Sequence, residues 1–236
     1  MQMSIHINMA SEISNNTAML NLMRLTSPTL PIGAFAYSQG LEFACDQEWI
    51  KDEESALNWI AGLMRNTQTY LEVPILLRLY EAWKSNDFKK VEYWSKYLLA
   101  SREAKELRDE DHYIGKALSK LLLDLNTPQA NNIINTQYVT YSTAFSLAAF
   151  NWQLSKNDCC TGYVWAWCEN QVNAAIKLIP LGQTAGQRMV SSLIKEIPDL
   201  IETGMQLDDD EIGSTTVGLG IASANHETQY SRLFSS

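Results

Sequence analysis

Apolar residues along this chain recur at intervals of three and four far more often than at intervals of two, which is the spacing of a helix face. From Asp52 onward, Leu57, Ile60 and Met64 keep this step, with Ala56 and Leu63 beside them. Asp52 reads as an N-cap, and Glu53 and Glu54 sit in the first turn, where the exposed N–H groups favour negative charge. After Pro74, a second face presents Ile75, Leu76, Leu79, Tyr80 and Trp83 until Asn86-Asp87 interrupts it, and Val91, Trp94 and Leu98 mark a third. The longest pattern covers Arg102 to Leu125. Leu107, Ile114, Leu118, Leu121 and Leu125 form its stripe, and Arg102, Glu103, Lys105, Glu106, Arg108, Asp109, Glu110 and Asp111 read as its solvated faces. Thr127-Pro128 ends it. Further faces follow at Tyr138, Tyr141, Phe145, Ala148 and Trp152, and at Val164, Trp167, Cys168, Val172, Ala175 and Ile179 before Pro180. A last helix is expected over Gln183–Glu196, with Met189, Leu193 and Ile194 inside. Strand-length alternation is rare and no Asn-Gly or Asp-Gly hairpin occurs. The prediction is an all-α fold, a single-domain helical bundle.

Compositional breaks delimit that domain. Residues 1–16 read as a disordered lead-in and residues 17–206 as the helical domain. At residues 207–236, Asp208-Asp209-Asp210-Glu211 leads into the stretch Gly213–Gly220. Such a segment buries little side chain, so a flexible C-terminal tail is expected. Its end is nevertheless rich in specific side chains, Tyr230, Leu233 and Phe234 among them.

Composition narrows the function classes. With 46% hydrophobic residues and seven Trp, the chain has material for a real core. Its 27 Asp+Glu against 18 Lys+Arg, a formal charge of −9, speaks against nucleic acid and against anionic membrane surfaces. No stretch approaches the roughly 20 apolar residues of a membrane span. The first 16 residues lack the charged start of a secretory leader, so a cytoplasmic protein is expected, with Cys45, Cys159, Cys160 and Cys168 as free thiols.

Candidate chemistry is sparse. Gly182 to Arg188 and Gly33 to Gly40 both fail the spacing of a phosphate loop, and neither contains a lysine. His6, His112 and His226 are far apart and no Cys-x2-Cys occurs, so neither a metal nor another cofactor is expected. Asp109-x-x-His112 is half of the carboxylate–histidine pair of di-iron bundles, and keeps a helical metalloenzyme as the rival reading. A generic helical adaptor is another. Gly-x-Ser-x-Gly is absent, and no catalytic constellation emerges. Three polar segments remain that turn chemistry does not explain. They run from Ser27 to Glu42, from Lys177 to Arg188, and from His226 to Phe234. Gln183, Gln187, Gln229, Tyr230 and Arg232 have no packing role in them.

At these segments the chain resembles the urease accessory protein F family. Leu30-Pro31-Ile32-Gly33-Ala34-Phe35-Ala36-Tyr37-Ser38-Gln39-Gly40-Leu41-Glu42 is similar to that family's early motif. Lys177-Leu178-Ile179-Pro180-Leu181-Gly182-Gln183, running on to Gln187, is similar to its later one, and His226 to Phe234 to its closing run. Ser101-Arg102-Glu103, Glu106-Leu107-Arg108 and Gly115 add a middle segment. Ser235 stands where the family often has arginine, and Thr215-Thr216-Val217 replaces a proline-containing approach to the tail. The resemblance implies an all-helical, non-catalytic dimer that bridges accessory protein D (also called H) and the GTPase accessory protein G. That assembly acts on apo-urease for nickel insertion. It also implies a tail that orders on binding accessory protein D, with His226, Glu227, Gln229, Tyr230, Arg232, Leu233 and Phe234 as contacts. Tyr37, Gln39, Gln183, Gln187 and Arg188 would shape the dimer or the GTPase-facing surface.

Overall fold

A computed structural model describes residues 16–236, all of whose regular elements are helical. The expected lead-in over residues 1–16, with His6, lies outside the described residues except for Asn16, which is already helical. In chain order the helices are α1 (16–25), α2 (Leu41–Asp46), α3 (Glu53–Leu63), a π-helix (Met64–Glu72), α4 (Val73–Lys84), α5 (Phe88–Ala100), α6 (Lys105–Asp124), α7 (Tyr141–Asn151), α8 (Lys156–Leu178), α9 (Gln183–Leu193), α10 (Ile197–Gln206) and α11 (Val217–His226).

Local chemistry starts these helices where expected. The Asp52 side chain accepts from Ser55 N–H at 2.8 Å and forms a reciprocal capping box, and Thr140 does the same with Thr143 at the start of α7. Asp87 and Ser155 cap α5 and α8. The α3 helix passes without a break into nine π-helical residues and then α4, where Val73 N–H reaches back to Gln68 O. Wider turns of this kind re-aim side chains and concentrate at functional sites.

The core is built around α7. Eight consecutive residues, Ser142 to Ala149, are buried, so this helix has no solvent stripe and must be central. Its hydroxyls are satisfied inside the core: Ser95 Oγ lies 2.7 Å from Thr143 Oγ1, and the fully buried Trp83 indole donates to Ser146 Oγ at 3.1 Å. Helices α4 and α6 flank α7, and α8 crosses behind α4 to meet α2, α9 and α10. Leu71, Ile75, Leu76, Leu79 and Leu98 are all at most 2% exposed, each contributing roughly 1.5–3 kcal/mol. Three thiols are buried, and burial pushes Cys160 and Cys168 up to about 12, which leaves them protonated.

Three expectations are corrected. Ile194 is 48% exposed, because α9 ends at Leu193 and the chain turns into α10. Glu110 and Asp111 are not on a solvated face; they are 6% and 5% exposed, drawn in by partners on other segments. The stretch Val217–Ser236 is no loose tail. It forms α11 and a strap that buries His226, Phe234 and Ser236. The glycines read as flexibility serve close packing: Gly218 lies against the Trp59 ring and Gly220 against Glu103.

Candidate functional site

The early and closing motifs fold onto each other. Gly33 (φ +76°) and Gly40 (φ +74°) let the early segment turn twice, around a short 3-10 helix at Ala34–Ala36, and deliver Glu42 into the first turn of α2. A Cβ on Gly40 would stand 3.0 Å from Ala222 and Ser223, so its bareness also lets α11 approach. The strap then runs alongside the early segment in the same direction: Ser235 N–H donates to Ala36 O at 2.8 Å, and Ser38 N–H to Ser236 O at 2.8 Å.

Two carboxylates clamp the strap. Glu42 accepts from the Leu233 amide at 2.6 Å, from the Phe234 amide at 2.8 Å, and from His226 Nε2 at 3.3 Å. Glu106 accepts from His226 Nδ1 at 2.7 Å and from Arg232 at 2.7 Å. The fully buried imidazole thus lies between the two carboxylates, with one ring nitrogen toward each. Glu227 accepts from the amides of Lys105 and Glu106 at 2.9 and 3.4 Å, capping α6 from the end of α11. Gln229 folds onto its own turn through Ser231 O. Tyr230 and Leu233, at 105% and 66% exposed, point outward, while Phe234 is buried beneath Lys177.

Behind the strap lies a cavity of about 360 Å³, lined by residues of the early, middle and later motifs, including Phe35, Gln39, Arg102, Glu110, Lys177 and Gln183. Gln39 joins strap and cavity. Its Nε2 donates to Glu110 at 2.8 Å, its Oε1 accepts from the Trp167 indole at 2.8 Å, and Ser236 Oγ donates to the other Glu110 oxygen at 2.7 Å. Deeper in, Arg102 bridges Glu72 and Asp111, reaching Asp111 with Nε at 3.0 Å and Nη2 at 2.7 Å. Asp111 also accepts the Tyr141 amide at 2.8 Å, and Glu72 accepts from Tyr163 at 3.0 Å. Burial opposes the Arg102 charge, but Glu72 and Asp111 hold it well above the usual arginine range.

Burial pushes the Glu110 carboxyl up to about 7, although Gln39, Ser236 and Arg102 pull the other way. The sign follows from linkage. Between about 4.5 and about 7 the unfolded chain has released this proton while the folded chain keeps it, so stability falls as pH rises through that window and levels off above it. A Glu110→Gln variant stays neutral. Thermal melts from about pH 5 to about pH 8 should therefore show the parent losing on the order of 1–3 kcal/mol relative to the variant. Parallel curves would refute the buried-acid assignment.

The other expected site residues are dispersed. The Tyr37 hydroxyl is half-buried and raised by burial and Glu110, and its carbonyl accepts from Asn170 at 3.0 Å. Gln183 stands at the cavity mouth at the start of α9. Gln187 is exposed, and Arg188 pairs with Glu53 of α3, so neither joins the strap or the cavity. The Asp109–His112 pair does not act together: Asp109 pairs with Lys105, and His112 Nδ1 lies 3.2 Å from Val139 O. Among the described residues, no three His, Cys, Asp or Glu are grouped to hold a metal ion, and no helix is long and apolar enough to cross a membrane. Periodicity missed Glu42, Gln68, Glu72 and Tyr163. The one available signal was the i, i+4 pair Glu106 and Glu110, set beside Arg102 in the middle motif.

The arrangement is a strap pinned by Glu42 and Glu106, with Tyr230 and Leu233 turned outward. Known proteins place the chain in a family. The UreF family profile matches residues 50–194. A urease accessory protein UreF of Alkalilimnicola ehrlichii is 43% identical over 228 residues, spanning 97% of this chain and all of the relative. That of Hahella chejuensis is 42% identical over 93% of this chain and 98% of its own length, and UreF 2 of Brucella anthropi 43% identical over 92% and 96%. With the family profile and near-complete coverage by relatives in agreement, the chain belongs to the UreF family of urease accessory proteins.

Proposed function

We propose that this chain is a non-catalytic cytoplasmic component of the machinery that inserts nickel into apo-urease. In this reading it works as a homodimer and bridges accessory protein D (or H) and the GTPase accessory protein G. The observation that carries the reading is the strap. Glu42 and Glu106 spend five hydrogen bonds on holding Arg232, His226 and two amides, while Tyr230 and Leu233 are left projecting into solvent. Exposed aromatic and aliphatic side chains on a preorganised backbone are what a partner reads, because little ordering entropy is lost on docking. Arg232 at its rim adds charge recognition. This reading takes the strap as ordered before docking, in place of a tail over residues 207–236 that orders only on binding.

The metalloenzyme reading has no observation in its favour, since Asp109 and His112 are committed to separate partners. The proposal is tested in cells carrying the urease structural and accessory genes, with this gene deleted and restored. Restoration should recover urease activity and nickel content. The double variant Tyr230→Ala, Leu233→Ala should keep its stability within about 0.5 kcal/mol, because neither side chain is buried. It should nevertheless lower capture of accessory protein D by about tenfold or more. Removing everything after Asn225 is a harsher variant, because it strips partners from Glu42 and Glu106. Undiminished capture by the double variant would sink the strap as the docking element.

A further inference from the structure

We propose that the cavity behind the strap binds a small organic cation of the guanidinium or primary-ammonium class, whose donors are received by Gln68 and Glu110. The assignment is independent of partner docking, which concerns the outer side of the strap.

An orphaned acceptor comes first. Gln68 is 4% exposed and lines the cavity, yet its Oε1 has no protein partner. A buried carbonyl oxygen left unpaired costs about 1–3 kcal/mol, so this position calls for a donor. The π-helix that carries Gln68 also carries Glu72, and both line the same cavity.

Charge sets the sign of the ligand. Four carboxylates, Glu72, Glu110, Asp111 and Glu169, line the cavity, and Arg102 is committed to Glu72 and Asp111. Glu110 receives only the neutral donors of Gln39 and Ser236. Lys177 is at the solvent-exposed mouth, over the Phe234 ring. An anion entering this space would meet an excess of negative charge, whereas a cation would complete it. Bound beside Glu110, a cation would also favour release of that carboxyl's proton.

Shape and ligand type exclude the inorganic alternative. About 360 Å³ is near the lower end for ligand pockets and fits an amino-acid-sized molecule. Tyr141, Tyr163 and Trp167 contribute aromatic surface, which suits a flat or alkylated cation rather than a bare ion. A divalent metal would need several converging hard ligands, and no group of three His, Cys, Asp or Glu among the described residues provides them.

The test is calorimetric titration of the full chain with arginine amide and with n-butylammonium chloride, against n-butanol and sodium acetate at matched ionic strength. Saturable binding of the two cations at about millimolar concentration is expected, with no binding of the neutral or anionic probes. Gln68→Leu and Glu110→Gln should each weaken it about tenfold, with helical circular dichroism unchanged. Affinity for n-butylammonium should rise between about pH 6 and about pH 8 as Glu110 ionises. Should one variant fail to fold, the other and the pH profile still decide the matter. Three outcomes would overturn the proposal: absence of saturable binding, equal binding of n-butanol, or both folded variants binding like the parent.

Discussion

Replacing Gly115 with alanine should destabilise the protein by about 3 kcal/mol or more, one of the two largest effects expected from single substitutions. Gly115 lies on α6 where it crosses the start of α7, and an added Cβ would clash with the Thr140 carbonyl carbon and oxygen and stand 2.8 Å from the Tyr141 nitrogen. Backbone cannot rotate aside as a side chain can. The same peptide supplies the Thr140 cap of α7 and the Tyr141 amide that Asp111 accepts, so displacing it damages both. For a chain of this size the melting temperature should fall by about 10 °C. Gly62→Ala is the matched control. It sits in α3 with nothing within 4 Å of the added atom, and should stabilise by about 0.5–1 kcal/mol. A Gly115→Ala melt within about 3 °C of the parent would mean that α6 and α7 do not approach this closely.

Arg102→Leu should cost about 3–5 kcal/mol, because it strands Glu72 and Asp111. Both carboxylates are nearly fully buried, and Arg102 is their only cationic partner among the described ion pairs. The loss is one of desolvated charge rather than of packing, and pH separates the two. As pH falls toward about 5, stranded carboxyls can take up protons, so the gap between variant and parent should narrow. A deficit that stays constant from about pH 5 to about pH 8 would point to packing instead.

Much of this architecture was legible in the residues. The three-and-four spacing marked α3, α4, α5, α7 and α8, and Asp52, Thr127-Pro128 and Pro180 marked boundaries, because caps and breakers act within a turn of where they stand. The early, later and closing motifs were visible as polar residues without a packing role. Their convergence was not, since Glu110 meets Gln39 and Ser236 across 71 and 126 positions of sequence. The π-helix was also missed: its side chains follow a helical pattern, and one wider turn leaves no compositional mark.

The tail shows why such readings go wrong. Acidic residues followed by glycines read as mobile, yet Arg78 holds Asp209 at 2.9 Å, and α11 uses its glycines to press against Trp59 and Glu103. Small residues signal either freedom or close contact, and only the neighbour decides which. The sequence alone determined the helical class, several helix boundaries and the family, all of which rest on short-range spacing and ordered motifs. Tertiary structure alone decided that Glu42, Glu72, Glu110 and Asp111 go inside, because a carboxylate is buried only where donors from distant segments compensate its lost hydration, and those donors meet it only in the folded chain.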